Sequence, residues 1–389
     1  MIRSVYNIMI REWKRILTLP QLYVVLLIVP PVICFLYGFI YEKEFARDLP
    51  VAVWDEARSP LSRQFTFMLE QTESIHITRQ VHSAEEIRSL MEKGEIQAAV
   101  HFPRRMDEHI KSRTPVSITL YTNSASVVTG KLIYKDAARV LITAGSGVIL
   151  QKLVKTGMPE GKAMALVQPV RLTSYFLYNA QYNYMKYLVP GLIAVGLQMI
   201  ILMATVIVIN EELRDGTMPE LIRMANGAAS NIMVGKGLAY LGASWLHYIL
   251  ATCIVYPFFA GGQIGGSFSL FILFNLLIIA CISIGMTISI IVNDVMVACD
   301  IGVFYTSPAF VFSGFTFPRW GMPWYDQFYA WIMPFAPFVD GFFKVFFMEL
   351  PLRYAHKEMA ILLVYTVLTF PIGLFVLQRK VNKLMLKHA

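Results

Sequence analysis

The stretch Asn210 to Lys236, NEELRDGTMPELIRMANGAASNIMVGK, is a short polar island between two long apolar runs. Before it, Tyr187 to Ile209 carries no Asp, Glu, Lys or Arg, and after it none appears until Asp294. A charged segment between two membrane spans has to lie at an aqueous face. Its charges are of both signs, which suits a docking surface for a protein; a segment that faced lipid headgroups would be more uniformly basic.

Composition agrees with a membrane setting. Of the 389 residues 56% are hydrophobic and only 15% charged, against about 25% charged in a typical soluble chain. The net charge of +8 is no nucleic-acid signal, because the basic residues sit at span ends and in one hydrophilic segment. The four cysteines, Cys34, Cys253, Cys281 and Cys299, fall in or beside apolar runs, so no disulfide framework is expected. The basic, then apolar, beginning lacks a small-residue cleavage site and reads as an uncleaved first helix.

In chain order, residues 2–17 are expected to form an amphipathic helix. Val5, Ile8, Met9, Ile16 and Leu17 make its apolar stripe, with Arg11, Lys14 and Arg15 on the wet side. Gln21 to Tyr41 is long enough for a first span, and Pro30 and Pro31 should kink it. The domain divisions are then 1–41, 42–186 and 187–389. Segment 42–186 alternates strands (50–54, 74–81, 96–102, 116–121) with helices (59–71, 83–92, 104–111), which argues an inserted α/β domain. A long helix over 126–155 follows, then a stretch with Tyr175, Tyr178, Tyr182, Tyr184 and Tyr187, as in an interfacial aromatic belt.

Five more spans are predicted at 187–209, 237–260, 268–292, 296–315 and 358–378. Glycine-rich GGQIGGS (261–267) should reverse the chain between two of them, and Asn293-Asp294 should make a second tight turn. Short basic flanks, Arg3, Arg11, Lys14 and Arg15 at the start and Arg379, Lys380, Lys383 and Lys387 at the end, place both termini in the cytoplasm. The island is then cytoplasmic and 42–186 extracytoplasmic. Within 316–351, Trp320 to Pro351 is aromatic but broken by Pro323, Pro334 and Pro337, and reads as two re-entrant helices at the outer face. The expected fold is an α-helical integral membrane protein of six transmembrane helices with re-entrant outer helices and an inserted α/β extracytoplasmic domain.

Inside the island (210–236), Asp215-Gly216 should end one helix and Thr217 and Glu220 have the spacing of a capping box for the next. Pro219 is tolerated in a first turn. The result is a rigid elbow able to carry a push from a partner into the spans on either side. Elsewhere the plainer readings prevail. His76 and His82 sit on a solvated strand face, and Asp340 and Lys344 have the spacing of a helical ion pair. Asp300 and His247 are intramembrane ionisable groups, candidates for the pathway. The one approximation to a phosphate loop, GMPEGKA (157–163), is a residue short and ends in Ala163. No nucleophile, base and orienting group stand together, so no catalytic site is expected.

The island resembles the signature of the ABC-2 family of transporter permeases through Glu211 or Glu212, Gly216, Thr217, Leu221, Gly235 and Lys236. SGFTFPRWGMP (Ser313 to Pro323) is similar to that family's block after the fifth span, through Ser313, Gly314, Pro318, Met322 and Pro323, and REWKRILTLP to its basic N-terminal segment. Pro219 stands where the family usually has Glu, and Ala225 where it has Pro. The resemblance implies the membrane half of an exporter. A second permease copy, identical or related, would pair with the chain, and two separate ATPase subunits would bind ATP and Mg²⁺, with no cofactor held by this chain. It implies a coupling role for Arg15, Glu211, Glu212, Arg214, Asp215, Gly216, Thr217, Glu220 and Leu221, and an outer gate at the Ser313–Pro323 block. The expected setting is a bacterial inner membrane, with no nucleic-acid partner. The outer domain would meet either substrate or a periplasmic adaptor. A rival reading is a membrane-anchored sensor whose 42–186 segment binds a ligand and whose spans only anchor it.

Overall fold

The computed structural model describes every residue except 43–46, 113, 171–174, 176, 179–182, 261–266 and 389. The chain divides into two compact units, Met1–Glu44 with Phe176–Ala389, and Phe45–Tyr175. The expected glycine-rich reversal and Tyr182 lie outside the described residues.

Among the described residues seven helices are long and apolar enough to cross a membrane, one more than expected. Six belong to the larger unit: Pro20–Ile40, Met185–Arg214, Ala229–Phe259, Phe268–Ile291, Val295–Phe312 and Leu352–Leu386. The seventh, Val128–Lys155, is the long helix of the smaller unit. It qualifies because its apolar residues run all the way round, yet Ile133 and Ala137 on one side are buried in that unit's core.

The larger unit is a helical body held by interdigitated apolar side chains with a few buried polar links. Phe268–Ile291 packs on the C-terminal helix His356–His388; there the Ser283 and Thr369 hydroxyls lie 2.6 Å apart and Thr287 donates to the Thr369 carbonyl. At the Asn293-Asp294 turn the Asp294 carboxylate accepts from the Met296 and Val297 N–H groups, an N-cap for Val295–Thr306. Lys380 ties the turn to the C-terminal helix through Asn293 at 2.7 Å.

Around the prolines expected to kink the first span the helix departs from regular α geometry, with a partner the sequence did not disclose. Pro30 has no N–H for the carbonyl of Leu26, four residues back. The helix passes through a π turn, Val24–Ile28, before resuming at Val29–Ile40. The Leu26 oxygen is met instead by His247 Nε2, at 2.5 Å.

Trp324–Ile332 and Phe335–Phe347 are joined with a bend of 92°. The first exposes Trp324, Phe328 and Trp331, whereas the second buries Phe335, Phe338 and Phe342. The expected Asp340–Lys344 pair does not form. A π turn begins at Phe343, and its wider winding takes position 344 out of line with 340. Asp340 pairs with Arg319 instead, and Lys344 with Glu358 at 2.8 Å.

The smaller unit has a four-stranded sheet of order β2-β1-β3-β4. Strand β1 (Leu49–Asp55) runs parallel to β2 (Ile75–Gln80) and β3 (Ala98–Phe102), and β4 (Thr119–Thr122) closes the edge antiparallel to β3. Helices Pro60–Glu70 and Ala84–Glu92 make the crossovers. Ser59 and Ser62 cap the first of these helices reciprocally. Val51, Val53, Val100 and Phe102 face the long helix side of the core. His76 is exposed beside Glu70 at 2.9 Å.

Candidate functional site: a buried charge network at the elbow

The helix Met185–Arg214 is interrupted at Ile207 and resumes as Val208–Arg214. Ser289 repairs the gap, its hydroxyl accepting from the Ile209 and Asn210 N–H groups at 3.0 and 3.2 Å. The helix stops at Asp215, and Gly216 takes φ +70°, where a side chain would be strained. The Thr217 N–H then bonds back to the Glu212 carbonyl at 3.0 Å, a Schellman closure. The elbow helix Met218–Met224 follows, with Leu221 and Ile222 buried.

The capping box expected of Thr217 and Glu220 is absent. Thr217 makes no side-chain cap; its hydroxyl donates to Glu212, so a charged acceptor across the turn has taken the group that local spacing assigned to the cap.

Glu212 is the centre of the site. Its Oε1 accepts from Arg11 at 2.7 Å, Arg15 at 3.0 Å and Lys236 at 2.8 Å, and its Oε2 from Arg11 at 3.0 Å and from Thr217. Arg15 also reaches Glu211 at 2.6 Å. Lys236 bridges to Glu12 at 2.5 Å, and Glu12 accepts from the Tyr240 hydroxyl at 2.9 Å. The side chains of Glu12, Glu212 and Lys236 are all 0% exposed. Three carboxylates, Glu12, Glu211 and Glu212, thus face three cations, Arg11, Arg15 and Lys236, and the bidentate Arg11 fork is the strong form of such a contact. The hydrogen bond to Glu212 raises the Arg11 guanidinium above its already high range, against the opposing pull of desolvation.

The network welds three chain segments together: the N-terminal helix Ile2–Thr18, the end of Met185–Arg214 and the helix Ala229–Ile249. Gly235 makes the crossing possible. A Cβ there would stand 2.8 Å from the Cβ of Ile8 and 3.0 Å from the Val5 carbonyl. The next residue, Lys236, is thereby set beside Glu12. Asn226 adds a bond to Ser4 at 3.2 Å, and Gln378 of the C-terminal helix bonds both Ala229 and Gly227.

This arrangement corrects the expected polarity of the N-terminal helix. Arg11 and Arg15 do not lie on a wet side; their side chains are only 20% and 13% exposed. Leu17, expected on the apolar stripe, is exposed, and the buried face is Ser4, Ile8, Glu12 and Ile16. Glu12, Arg11 and Tyr240 were absent from the sequence-based site. An acid between Ile8 and Ile16, at four-residue spacing on an apolar stripe, was the available signal for Glu12.

The predicted coupling residues divide into two sets. Arg15, Glu211, Glu212, Thr217 and Leu221 point inward, whereas Arg214, Asp215, Gly216 and Glu220 are exposed. Arg214 bonds Asp215 at 3.0 Å on that outer face.

The Ser313–Pro323 block builds an aromatic seat. The buried Ser313 hydroxyl accepts from the Phe315 N–H. Phe315 is buried and stacks near Tyr187 and Phe343, ring centres 5.2 and 5.4 Å away, while Tyr187 donates to the Phe315 carbonyl at 2.6 Å. Pro318 begins a single 3₁₀ turn, with Arg319 reaching Asp340, and Met322 and Pro323 lead into Trp324–Ile332. Gly314 has φ +93°.

The two pathway candidates do not meet. Asp300 is exposed on Val295–Thr306, and His247 is buried against Leu26. His247 is thus a support for the proline-broken helix. His247→Leu should orphan the Leu26 carbonyl and lower unfolding stability by about 1–3 kcal/mol, read as a drop in melting temperature in detergent. Full stability with loss of transport would instead put this imidazole on a path.

A helical body of apolar helices with a charged elbow defines the class. The chain belongs to the ABC-2 family of transporter proteins, whose model matches residues 21–375, and is a membrane protein of the permease type. It is 22% identical over 390 aligned residues, 98% of this chain and 100% of the relative, to the probable multidrug ABC transporter permease YbhR of Escherichia coli K12. The same figures hold for the protein of that name in Escherichia coli O157:H7.

Proposed function

We propose that the chain is the permease subunit of an exporter that moves an amphipathic, hydrophobic or lipid-like substrate out across a bacterial inner membrane, driven by two separate ATPase subunits. Six of the apolar helices span the bilayer, both termini are cytoplasmic, and the Phe45–Tyr175 unit lies outside, with Val128–Lys155 as part of it. A second permease, identical or related, completes the path.

One observation carries this reading. The exposed charges Arg214, Asp215 and Glu220 sit on an elbow whose inner side is locked by buried ion pairs to helices on both sides of it. A partner pressing on that face would move the N-terminal helix and two spans together, because pulling any one of these segments away would separate buried charges from their partners. The apolar character of the spans favours a substrate without much fixed charge. The Phe315 seat and the bent aromatic helices would close the outer end.

The test is co-purification with a separate ABC ATPase subunit, followed by transport in vesicles. Replacing Arg214, Asp215 and Glu220 together by alanine should remove most of the bound ATPase and abolish transport with little change in the melting temperature, since these side chains are exposed and only Arg214 approaches the buried network, 3.9 Å from Glu211. Unchanged ATPase binding would sink the docking assignment. ATP hydrolysis by the chain alone would sink the division of labour.

A further inference from the structure

The Phe45–Tyr175 unit contains a cleft of about 520 Å³, inside the range of roughly 300–1,000 Å³ typical of small-molecule sites. We infer that this cleft binds a free single-chain amphipathic anion, a hydrocarbon tail with one acidic head. The inference does not rest on the coupling reading, because occupancy can be measured with no ATPase present.

The geometry is that of a helix with nothing against part of its face. Along the helix Val127–Lys155, Ile133 and Ala137 are buried against the sheet. Further on, Leu141, Gly145, Val148 and Lys152 line the cleft at helical spacing. Across it stand Phe65, Met106, Ile110 and Val116. At Gly145 a Cβ would meet no heavy atom within 4 Å, so the wall opposite is missing there. Folded interiors seldom keep voids much larger than a water molecule, and apolar walls left facing water forgo burial that a tail would supply.

The head group is specified by Lys152. Its ammonium donates to the Ile110 and Lys111 carbonyls at 3.1 and 2.7 Å, which uses two of its three protons. Among the described residues no carboxylate forms an ion pair with it. Thr114 and Thr156 line the cleft as well, and Thr156 follows Lys152 by one helical turn. Leu141 and Lys152 are separated by roughly 16 Å of helix axis at about 1.5 Å per residue. The apolar stretch is therefore long and its charge lies at one end, which fits a tail-and-head ligand better than a compact polar one.

The probe is dodecanoate carrying a diazirine near its tail end, photolysed with the full chain in lipid nanodiscs and mapped by mass spectrometry. Label is expected on peptides containing Phe65, Met106 or Leu141 to Val148, competed by unlabelled dodecanoate. Gly145→Phe, which fills the void, should remove that label while leaving any label in the membrane helices. Lys152→Gln should weaken dodecanoate binding about tenfold or more, the loss of one charge-assisted contact, and leave dodecanol binding unchanged. The second variant decides the matter should the first fail to fold. Label confined to the membrane helices, or equal loss of dodecanoate and dodecanol with Lys152→Gln, would overturn the assignment.

Discussion

Lys236→Met should destabilise the protein by about 3–5 kcal/mol, the cost of stranding buried carboxylates without their cation, and should abolish transport. Lys236 is the link between Glu12 and Glu212. With it gone, Glu12 keeps, among the described residues, only the Tyr240 hydroxyl, and the network holds three carboxylates against two cations. Glu212 would still have Arg11 and Arg15, so Glu12 bears most of the loss. The double variant Glu12→Gln/Lys236→Met removes one charge of each sign and should recover much of the stability, because a neutral amide can still accept from Tyr240. Measuring the two single variants and the double by thermal unfolding in detergent gives the coupling between the partners. Additive losses would mean that the two side chains do not share a buried bond. Transport separates the structural from the mechanical role: a double variant that is stable but does not transport has lost the link through which the elbow pulls the N-terminal helix.

What could be read from the residues, and what could not, divides by range. The apolar runs and the four strands were legible, since a hydrophobic period is a property of a few consecutive residues. So was the Gly216 turn, where a positive φ admits few other residues. Failures came where distant groups outbid local ones. Thr217 has a capping neighbour at the right spacing, yet bonds to Glu212. Asp340 has Lys344 four residues on, yet reaches back to Arg319, helped by a π turn that no spacing rule anticipates. Arg11 and Arg15 look like ordinary membrane-flanking cations, and only the fold shows that they lie against Glu211 and Glu212. Val128–Lys155 is long and apolar enough for a span; its place as a long helix inside 42–186 was legible, but which residues tie it to the sheet core shows only in three dimensions.

That difference between local and distant causes also explains why the Gly235-Lys236 pair matters more than its small size suggests. Gly235→Val should displace the N-terminal helix and lower transport nearly as far as loss of Lys236. A valine Cβ would stand 2.8 Å from the Ile8 Cβ and 3.0 Å from the Val5 carbonyl. Neither is the movable end of a flexible side chain, so shortening Ile8 to alanine offers no relief and the helix backbone itself must back away. Arg11 and Arg15 would be carried from Glu212, and the buried carboxylate would be left short of partners, at a cost of several kcal/mol. Gly237→Ala is the matched control, because a Cβ there meets the nearest atom, of Ile282, at an ordinary 3.5 Å. Ser4 and Asn226, whose side chains lie 3.2 Å apart, report the displacement directly. With both changed to cysteine and the four native cysteines replaced, they should cross-link readily in the parent and in Gly237→Ala, and poorly in Gly235→Val. Equal cross-linking in all three would show that the crossing tolerates a side chain. The link from the elbow to the N-terminal helix would then rest on the ion pairs and the Asn226–Ser4 contact, with no need for the close crossing at Gly235.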